Sequence, residues 1–314
     1  MVIQTEGLCK QYGQTTAVRE LNLQVRKGEV YGFLGPNGAG KTTTILMLLG
    51  MVQPTSGNVF VLGEEVKGLE TNLRARIGVV PEHQSMYDEM TAGEYLSFFS
   101  HLHHVRDPAK RISELLEYFE LLPYRNVRLG EYSHGMRQKI NICRGFLHEP
   151  DLLILDEPVL GLDPASVRLV RDMILSEKGK GRTTLISSHM LSEIEKTADR
   201  VGIMSEGELA VEGSIEQVFA AIGGTSVLEV ELAEVTPAME EALRELELVL
   251  DLHRIEDKLH IQVENLQEAR MAVSRRISDL GGTILGFGVR GMDLEDAFLA
   301  ITKGHVEQLK EEIG

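Results

Sequence analysis

A glycine-rich segment near the start of the chain has the residue types of a phosphate-binding loop. It follows an apolar strand, opens a helix and fits the spacing GxxxxGK[ST] over Gly35, Pro36, Asn37, Gly38, Ala39, Gly40, Lys41 and Thr42. Its glycines let successive backbone N–H groups point at a β-phosphate, while the lysine reaches the β- and γ-phosphate oxygens. The threonine hydroxyl is a ligand for Mg²⁺. The segment therefore predicts a site for a nucleoside triphosphate and its magnesium ion.

Two adjacent carboxylates form the second candidate group. Asp156 and Glu157 come at the end of an apolar strand, LLILDE, and ligands of open α/β sheets bind at such strand ends. One carboxylate there can hold Mg²⁺ through water, and the next can accept a proton from an attacking water. We assign the first role to Asp156 and the second to Glu157. On its own the pair could equally cap a strand at solvent, but the phosphate-binding loop favours the catalytic interpretation.

Strands and crossover helices must bring these segments together. Apolar strands are predicted before the glycine-rich loop and again within 151–158, 183–189 and 200–207, with helical segments between the later ones. This alternation is typical of a parallel sheet. Residues from about 91 to 149 show helical spacing of apolar side chains and predict a helical subdomain. Residues 1–215 are therefore predicted to form one α/β domain with a helical insertion.

A small α+β accessory domain is predicted for residues 216–314. Its pattern runs strand, helix, strand, strand, helix, strand, which is the order of a ferredoxin-like unit. Acidic residues are enriched there as well, which marks a shift in composition. A closing helix over 293–312 would pack its apolar face against this unit or against the first domain.

The charge and apolar content of the chain limit the kinds of partner that it can bind. A formal net charge of −16 argues against extended contact with nucleic acid, so we expect no nucleic-acid partner. No apolar stretch reaches the roughly 18 residues of a membrane span, and the start lacks a signal-peptide pattern, so the chain is predicted to be cytoplasmic.

The spacing of Cys9 and Cys143 fits neither a metal site nor a disulfide framework. The run of His101, His103 and His104 lacks a suitably spaced acidic or Cys partner and is predicted to be a solvated helix face.

Further segments complete an ordered set of motifs. Residues 132–138 read YSHGMRQ just inside a predicted helix, Gly161-Leu162-Asp163 follows Glu157, and His189 closes the segment SSH. With the glycine-rich loop and the carboxylate pair, this order resembles the ATP-binding cassette (ABC) family over residues 1 to about 215. The resemblance implies a P-loop NTPase cassette of α/β class that binds ATP with Mg²⁺ and hydrolyses it.

The resemblance also implies a role for each matching residue. ATP would be bound by Tyr12, which would stack on adenine, and by Val18, Gly35, Pro36, Asn37, Gly38, Ala39, Gly40, Lys41, Thr42 and Thr43. Mg²⁺ would be held by Thr42, Glu82 and Asp156. Glu157 would be the general base, and His189 would sense the γ-phosphate. The signature residues Ser133, His134, Gly135 and Met136 would reach across a dimer to the partner's γ-phosphate, and Asp163 would link the two sites.

Two residues depart from the family pattern. Glu82 stands where the family usually has Gln; its oxygen can still ligate Mg²⁺, but it adds negative charge beside three phosphates and cannot donate a hydrogen bond. His134 stands where the signature usually has Gly, so that position must have a backbone conformation that a side chain tolerates. Both departures resemble bacterial exporter ATPases whose permease is a separate chain, as does the ending DLEDAFLAIT.

The implied function is that of the ATP-hydrolysing subunit of an exporter, peripheral on the cytoplasmic face of the plasma membrane. Its partners would be a transmembrane permease and a second ATP-binding subunit, paired head to tail. The alternative is a soluble ABC ATPase that acts on DNA or ribosomes. Such proteins usually carry a long coiled-coil insertion or two cassettes, and this sequence has neither. A P-loop kinase or GTPase would leave the signature and His189 without a role.

Overall fold

A computed structural model describes residues 1–68, 71–82, 85–221, 226–255, 258–263, 266–290 and 293–302. These residues belong to two compact units, one of Met1–Ile215 together with Thr302 and one of Glu216–Ile301. Among the described helices, none has both the length and the apolar character that crossing a membrane requires.

The first unit contains two sheets and a helical layer. Its strands are β1 (Ile3–Tyr12), β2 (Thr15–Leu21), β3 (Gln24–Val25), β4 (Val30–Leu34), β5 (Ser56–Val61), β6 (Glu64–Glu65), β7 (Ile77–Val80), β8 (Leu152–Asp156), β9 (Thr183–Ser187), β10 (Arg200–Ser205) and β11 (Glu208–Gly213). Its helices are α1 (Lys41–Leu48), α2 (Thr71–Arg74), α3 (Ala92–Leu102), α4 (Pro108–Tyr118), α5 (His134–Phe146), α6 (Pro164–Gly179) and α7 (Leu191–Thr197), and α8 (Ile215–Ala221) follows.

The sheet of order β11-β10-β4-β9-β8-β7 positions the candidate site. Its strands from β10 to β7 are parallel, and β11 is an antiparallel edge. Every residue of β4, β8 and β9 is buried, which explains why these strands read as unbroken apolar runs. The carboxyl ends of parallel strands meet at one edge, so the loops after β4, β8 and β9 come together there. The predicted α/β class is confirmed for this unit.

An antiparallel sheet packs beside the parallel one. Its strands run in the order β2-β1-β5-β6, and β3 also pairs with β1. Residues of both sheets share one core, in which Tyr31 and Phe33 are among the largest fully buried side chains. Strand β2 lies next to the glycine-rich loop, since a Cβ on Gly40 would lie 2.3 Å from the Ala17 carbonyl oxygen.

Local sequence signals explain the helices of the helical layer. Thr91 and Glu94 form a reciprocal capping box at the start of α3, and Asp107 with Pro108 starts α4. Ser133 caps α5, whose side chains pack against β7, α3 and α4. All three helices lie within the segment 91–149 that was predicted to be helical.

The second unit has a sheet and core of its own. Its elements are β12 (Ser226–Leu232), α9 (Pro237–Arg244), β13 (Val249–Ile255), β14 (Lys258–Val263), α10 (Leu266–Asp279) and β15 (Ile284–Arg290). The strands are antiparallel in the order β13-β14-β12-β15, and alternate residues such as Leu228, Val230, Leu259 and Ile261 are buried with side chains of α9 and α10. Of the predicted closing helix, residues 294–302 are helical and Asp293 precedes the helix; the part after residue 302 lies outside the described residues.

Candidate functional site

A cleft of about 490 Å³ brings together residues from five separate segments of the first unit. Its lining comprises Ala17, Asn37, Gly38, Gly40, Lys41, Thr42, Thr43, Glu82, Asp156, Glu157 and His189. The sequence predicted all of these except Ala17. The cleft therefore unites the phosphate-binding loop with the carboxylate pair and the predicted sensing histidine.

The glycine-rich loop curls around the Lys41 ammonium group. Gly38 and Gly40 have φ angles of 83° and 101°, and a Cβ on Gly40 would lie 2.3 Å from the carbonyl oxygen of Ala17. Lys41 Nζ donates to the carbonyl oxygens of Gly35 at 2.6 Å and Pro36 at 3.1 Å. Burial lowers the pKa of Lys41, against the opposing effect of Glu157, Asp156 and Glu82. A phosphate in the loop would give this ammonium a charged partner in place of carbonyl groups.

The N-terminus of α1 is open to a ligand. Gly40 is its N-cap residue, and none of the described side chains caps the helix there. The first backbone N–H groups of a helix need an acceptor, and the helix dipole favours an anion at that end. The N–H groups of the loop and of the helix N-terminus together have the geometry of a phosphate-binding site.

Asp156 lies at the end of β8, within a network of hydroxyl groups. Ser187 on β9 donates to Asp156 Oδ1, and Thr42 also hydrogen-bonds the carboxylate. Burial raises the pKa of Asp156, and Glu82 raises it further, whereas Ser187, Lys41 and Thr42 lower it.

The donor set at this point fits a magnesium ion. A hydroxyl and two carboxylates, from Thr42, Asp156 and Glu82, are the hard oxygen ligands that Mg²⁺ prefers. The repulsion between Glu82 and Asp156 is the kind of charge that a divalent cation offsets.

Glu157 has a strained backbone and a histidine partner. Its φ angle of 50° lies in the left-handed region, which is unusual for a residue with a side chain. Its backbone N–H donates to the Ser187 carbonyl at 3.0 Å, and its Oε2 lies 2.8 Å from His189 Nδ1. The His189 side chain is 62% exposed, whereas the Glu157 side chain is 11% exposed. While the neutral ring donates its Nδ1–H to Glu157, its Nε2 is an acceptor, so the ring has no second N–H for a phosphate.

Five of the predicted ATP-binding residues do not line the cleft. Tyr12 is half exposed at the end of β1, where Lys10 Nζ lies 5.0 Å from the ring centroid. Val18 is fully buried and packs behind Gly40. Gly35, Pro36 and Ala39 form the back of the loop; Ala39 is buried and donates to the Pro36 carbonyl at 3.2 Å.

The signature residues lie outside the cleft of their own chain. Ser133 is exposed and accepts a hydrogen bond from the Met136 backbone at 3.3 Å, so the segment forms the N-terminus of α5. Asp163 caps α6, and hydrogen bonds from Ser166 lower its pKa. The structure thus separates two anion-attracting helix ends, one in the cleft and one at α5.

Sequence reasoning missed two residues that support Glu157. Gln138 Nε2 donates to the Pro158 carbonyl at 2.9 Å, and the Ser187 carbonyl accepts from Glu157. Gln138 follows the signature by a few residues, but only the fold shows which carbonyl its amide contacts.

Known proteins with similar sequences identify the family. The family model described as ABC transporter matches residues 18–160. The linearmycin resistance ATP-binding protein of Bacillus subtilis is 33% identical over 306 residues, which cover 96% of this chain and 98% of that protein. The chain belongs to the ABC transporter family. It is an ATP-binding subunit of this family and an ATP hydrolase.

Other relatives agree with the assignment. The bacitracin transport ATP-binding protein of Bacillus licheniformis is 43% identical over 67% of this ABC subunit and 69% of its own length. The solved structure of an ATP-binding subunit of an ABC transporter superposes with a TM-score of 0.68, at 28% identity over 71% of this chain and 94% of that chain. ATP-binding subunits of this family work with membrane permeases and dimerise. None of these relatives supports the alternative function on DNA or ribosomes.

Proposed function

We propose that this ABC subunit drives export through a separate permease by means of two ATP sites shared within a head-to-tail pair of chains. The observation that carries the proposal is the separation of Ser133 and the α5 N-terminus from the cleft of their own chain. A helix end that attracts anions and lies outside its own cleft is placed to receive a phosphate that a second chain brings to it. The names of the bacitracin transport and linearmycin resistance relatives support export.

Within one chain, the cleft binds ATP with Mg²⁺. The glycine-rich loop and α1 hold the phosphates, with Lys41 at the β- and γ-phosphate oxygens. Thr42, Asp156 and Glu82 hold Mg²⁺, which supplies charge neutralisation at the phosphates when bound. Tyr12 stacks on adenine from the exposed end of β1.

Glu157 is the general base for hydrolysis. Its carboxylate lines the cleft and is largely shielded from bulk water, which suits proton abstraction from a positioned water. His189 Nδ1 contacts one oxygen of that carboxylate. In the presence of a γ-phosphate, the His189 ring turns toward the phosphate. Loss of the γ-phosphate then returns the ring to Glu157, which makes the pair a sensor of nucleotide state.

The second chain completes each site. The Ser133 hydroxyl and the Gly135 N–H contact the γ-phosphate held by the partner's Lys41, with His134 and Met136 as the rest of the signature, and Asp163 links the two sites. The pair lies on the cytoplasmic face of the membrane, where closure and opening of the dimer drive the permease.

The second unit is proposed to be a ferredoxin-like accessory domain, with a boundary near residue 215. Its strand order β13-β14-β12-β15 and its antiparallel pairing support this fold. Its own core supports a separate domain. The role that we assign to this domain is stabilisation of the dimer.

Sizing in solution of Glu157→Gln tests the proposal. This variant should bind ATP, lose hydrolysis by about 10²–10⁴-fold and accumulate as an ATP-bound dimer, because the amide cannot accept the proton. Adding Ser133→Arg should leave ATP binding to the monomer intact but abolish dimerisation. Ser176→Arg, at an exposed position of α6, is the matched control for the added charge. Equal dimerisation of Glu157→Gln with and without Ser133→Arg would refute the shared site.

A further inference from the structure

The side chain of His134 packs on a glycine of the loop that follows Glu157. A Cβ atom on Gly161 would lie 2.5 Å from Cδ2 and 2.7 Å from Nε2 of His134, so the edge of the imidazole ring occupies that space. Gly161 also has a φ angle of 75°, which favours glycine independently of the ring. The contact joins the first residue of α5 to the loop between β8 and α6.

The backbone of the same loop is held by short turns. Leu160 N donates to the Glu157 carbonyl and Leu162 N to the Val159 carbonyl, both at 3.2 Å. Asp163 then accepts from the Ser166 backbone at 3.0 Å and starts α6. Because these turns follow one another directly, a displacement at Gly161 is transmitted to Glu157 on one side and to Asp163 on the other.

A second link joins α5 to the start of this loop. Gln138 donates to the Pro158 carbonyl at 2.9 Å and is buried, one turn along α5 from His134. The carbonyl oxygen of Gly161 would lie 3.5 Å from a Cβ on Gly135, which places the backbones of the signature and the loop in near contact. The signature helix therefore holds the loop at both ends, through an amide at Pro158 and through an imidazole at Gly161.

We propose that His134 is a positioning residue that couples the two ATP sites of the dimer. The inference rests on the proposed contact of the signature with the partner's ATP. When that ATP draws the α5 N-terminus forward, the His134 ring moves with it and shifts Gly161, and the turns carry the shift to Glu157 in its own cleft. A glycine at position 134 could not make this contact, since it has no side chain. The departure from the usual signature thus gives this chain a direct link from one site to the general base of the other.

A double-mutant cycle on the full chain tests the coupling. Gly161→Ala should lower kcat for ATP hydrolysis roughly tenfold in the natural chain but only about twofold in His134→Ala, a difference in the range measured for residues in contact. The backbone strain of an alanine at positive φ is the same in both backgrounds and cancels. Gly181→Ala is the matched control, because Gly181 has a φ of 80° and a Cβ there would meet nothing within 4 Å.

A readout of communication separates positioning from mere packing. His134→Ala should lower the Hill coefficient of ATP hydrolysis, while monomer ATP affinity and melting temperature stay unchanged. Additive effects of Gly161→Ala and His134→Ala, or an unchanged Hill coefficient, would overturn the role of His134. If Glu157→Gln fails to dimerise with ATP, the shared site itself fails; if it dimerises and the cycle is additive, only the coupling by His134 fails.

Discussion

Glu82 is a single residue that adds negative charge to the cleft. It lies in the cleft with Asp156 and Glu157, and it raises the pKa of Asp156. A glutamine at this position would keep an oxygen for Mg²⁺ without the charge. Glu82 therefore repels a bound nucleotide unless a cation lies between them.

The charge at Glu82 predicts a strong dependence of ATP affinity on Mg²⁺. Without the ion, Glu82→Gln should bind ATP roughly tenfold more tightly, since one carboxylate near the phosphates is removed. With saturating Mg²⁺ the change should be about twofold or less, because the cation already screens that carboxylate. Titration with a fluorescent ATP analogue, with and without Mg²⁺, measures both values. Glu89→Gln, at an exposed ion pair with Arg128, controls for the general loss of charge, and equal gains in both conditions would contradict the proposed metal site.

The sequence predicts some residues of this site better than others. Lys41, Thr42, Asp156 and Glu157 belong to motifs whose spacing fixes them at a loop or strand end, and the structure brings them into one cleft. The buried position of Val18, by contrast, depends on how β2 packs behind the loop. Contacts between distant segments leave no local pattern, so they could not be read from the sequence.

Among the contacts between secondary-structure elements, a stack of two histidine rings joins the end of α3 to the end of α5. The rings of His103 and His148 lie 3.9 Å apart at an angle of 10°, and His148 Nε2 contacts the Ile77 carbonyl at 3.2 Å. Burial lowers the pKa of His148 to about 4, and His103, Arg182 and Arg111 add to the decrease. Burial also lowers the pKa of His103. The prediction of a solvated helix face is therefore wrong for His103.

The histidine stack should make the first unit sensitive to acid. A base whose pKa is lowered on folding stabilises the folded state only above its unfolded pKa, here 6.5, and that contribution is lost as the pH falls toward about 4. Between about pH 7 and pH 5 the loss for His148 is on the order of 2 kcal/mol. Urea unfolding followed by circular dichroism measures it, since the chain has no Trp.

Substitution of His148 isolates its share of the acid sensitivity. His148→Gln keeps a donor for the Ile77 carbonyl but does not titrate, so its stability should fall less between these pH values. His101→Gln is the matched control at an exposed position of α3. If His148→Gln loses as much stability on acidification as the natural chain, another group is responsible.

Helices and strands were predicted where the spacing of apolar residues repeats. They were missed where the element is too short for that spacing to repeat. The parallel strands of the first unit and the helices of the segment 91–149 show clear apolar runs or helical spacing. Strand β6 contains two residues and α2 contains four, which is too short for either period to show. The predicted strand over residues 17–25 divides into β2 and the two-residue β3. Tertiary contacts decide such elements. Strand β3 exists because Ile3 and Gln4 of β1 pair with it.

The whole molecule combines two cores with different tasks. The core of the first unit supports the cleft, whereas the second unit buries its own set of side chains between its sheet and α9 and α10. The order of strands and helices in the second unit follows the order predicted from sequence. Its strand order in the sheet could not be predicted, since hydrophobic patterning fixes which face is buried but not which strands are neighbours.

A chain that ends at residue 215 should fold and bind ATP alone. Every described residue that lines the cleft precedes this point, and the described core cluster that includes Phe33, Ile154 and Leu185 is built from residues of the first unit. ATP affinity of the truncated protein should therefore stay within about threefold of the full chain, as expected for a domain with its own core. The Lys41→Ala variant of the truncated protein should bind ATP much more weakly, which shows that binding occurs in the same cleft.

ATP-dependent dimerisation of the truncated Glu157→Gln protein should be weaker than that of the full-length variant, because the proposed contribution of the second unit is lost. Calorimetric titration and sizing measure the two effects. A truncated protein that is folded but does not bind ATP would place part of the nucleotide site in the second unit, and dimerisation as tight as in the full chain would remove the dimer-stabilising role of that unit.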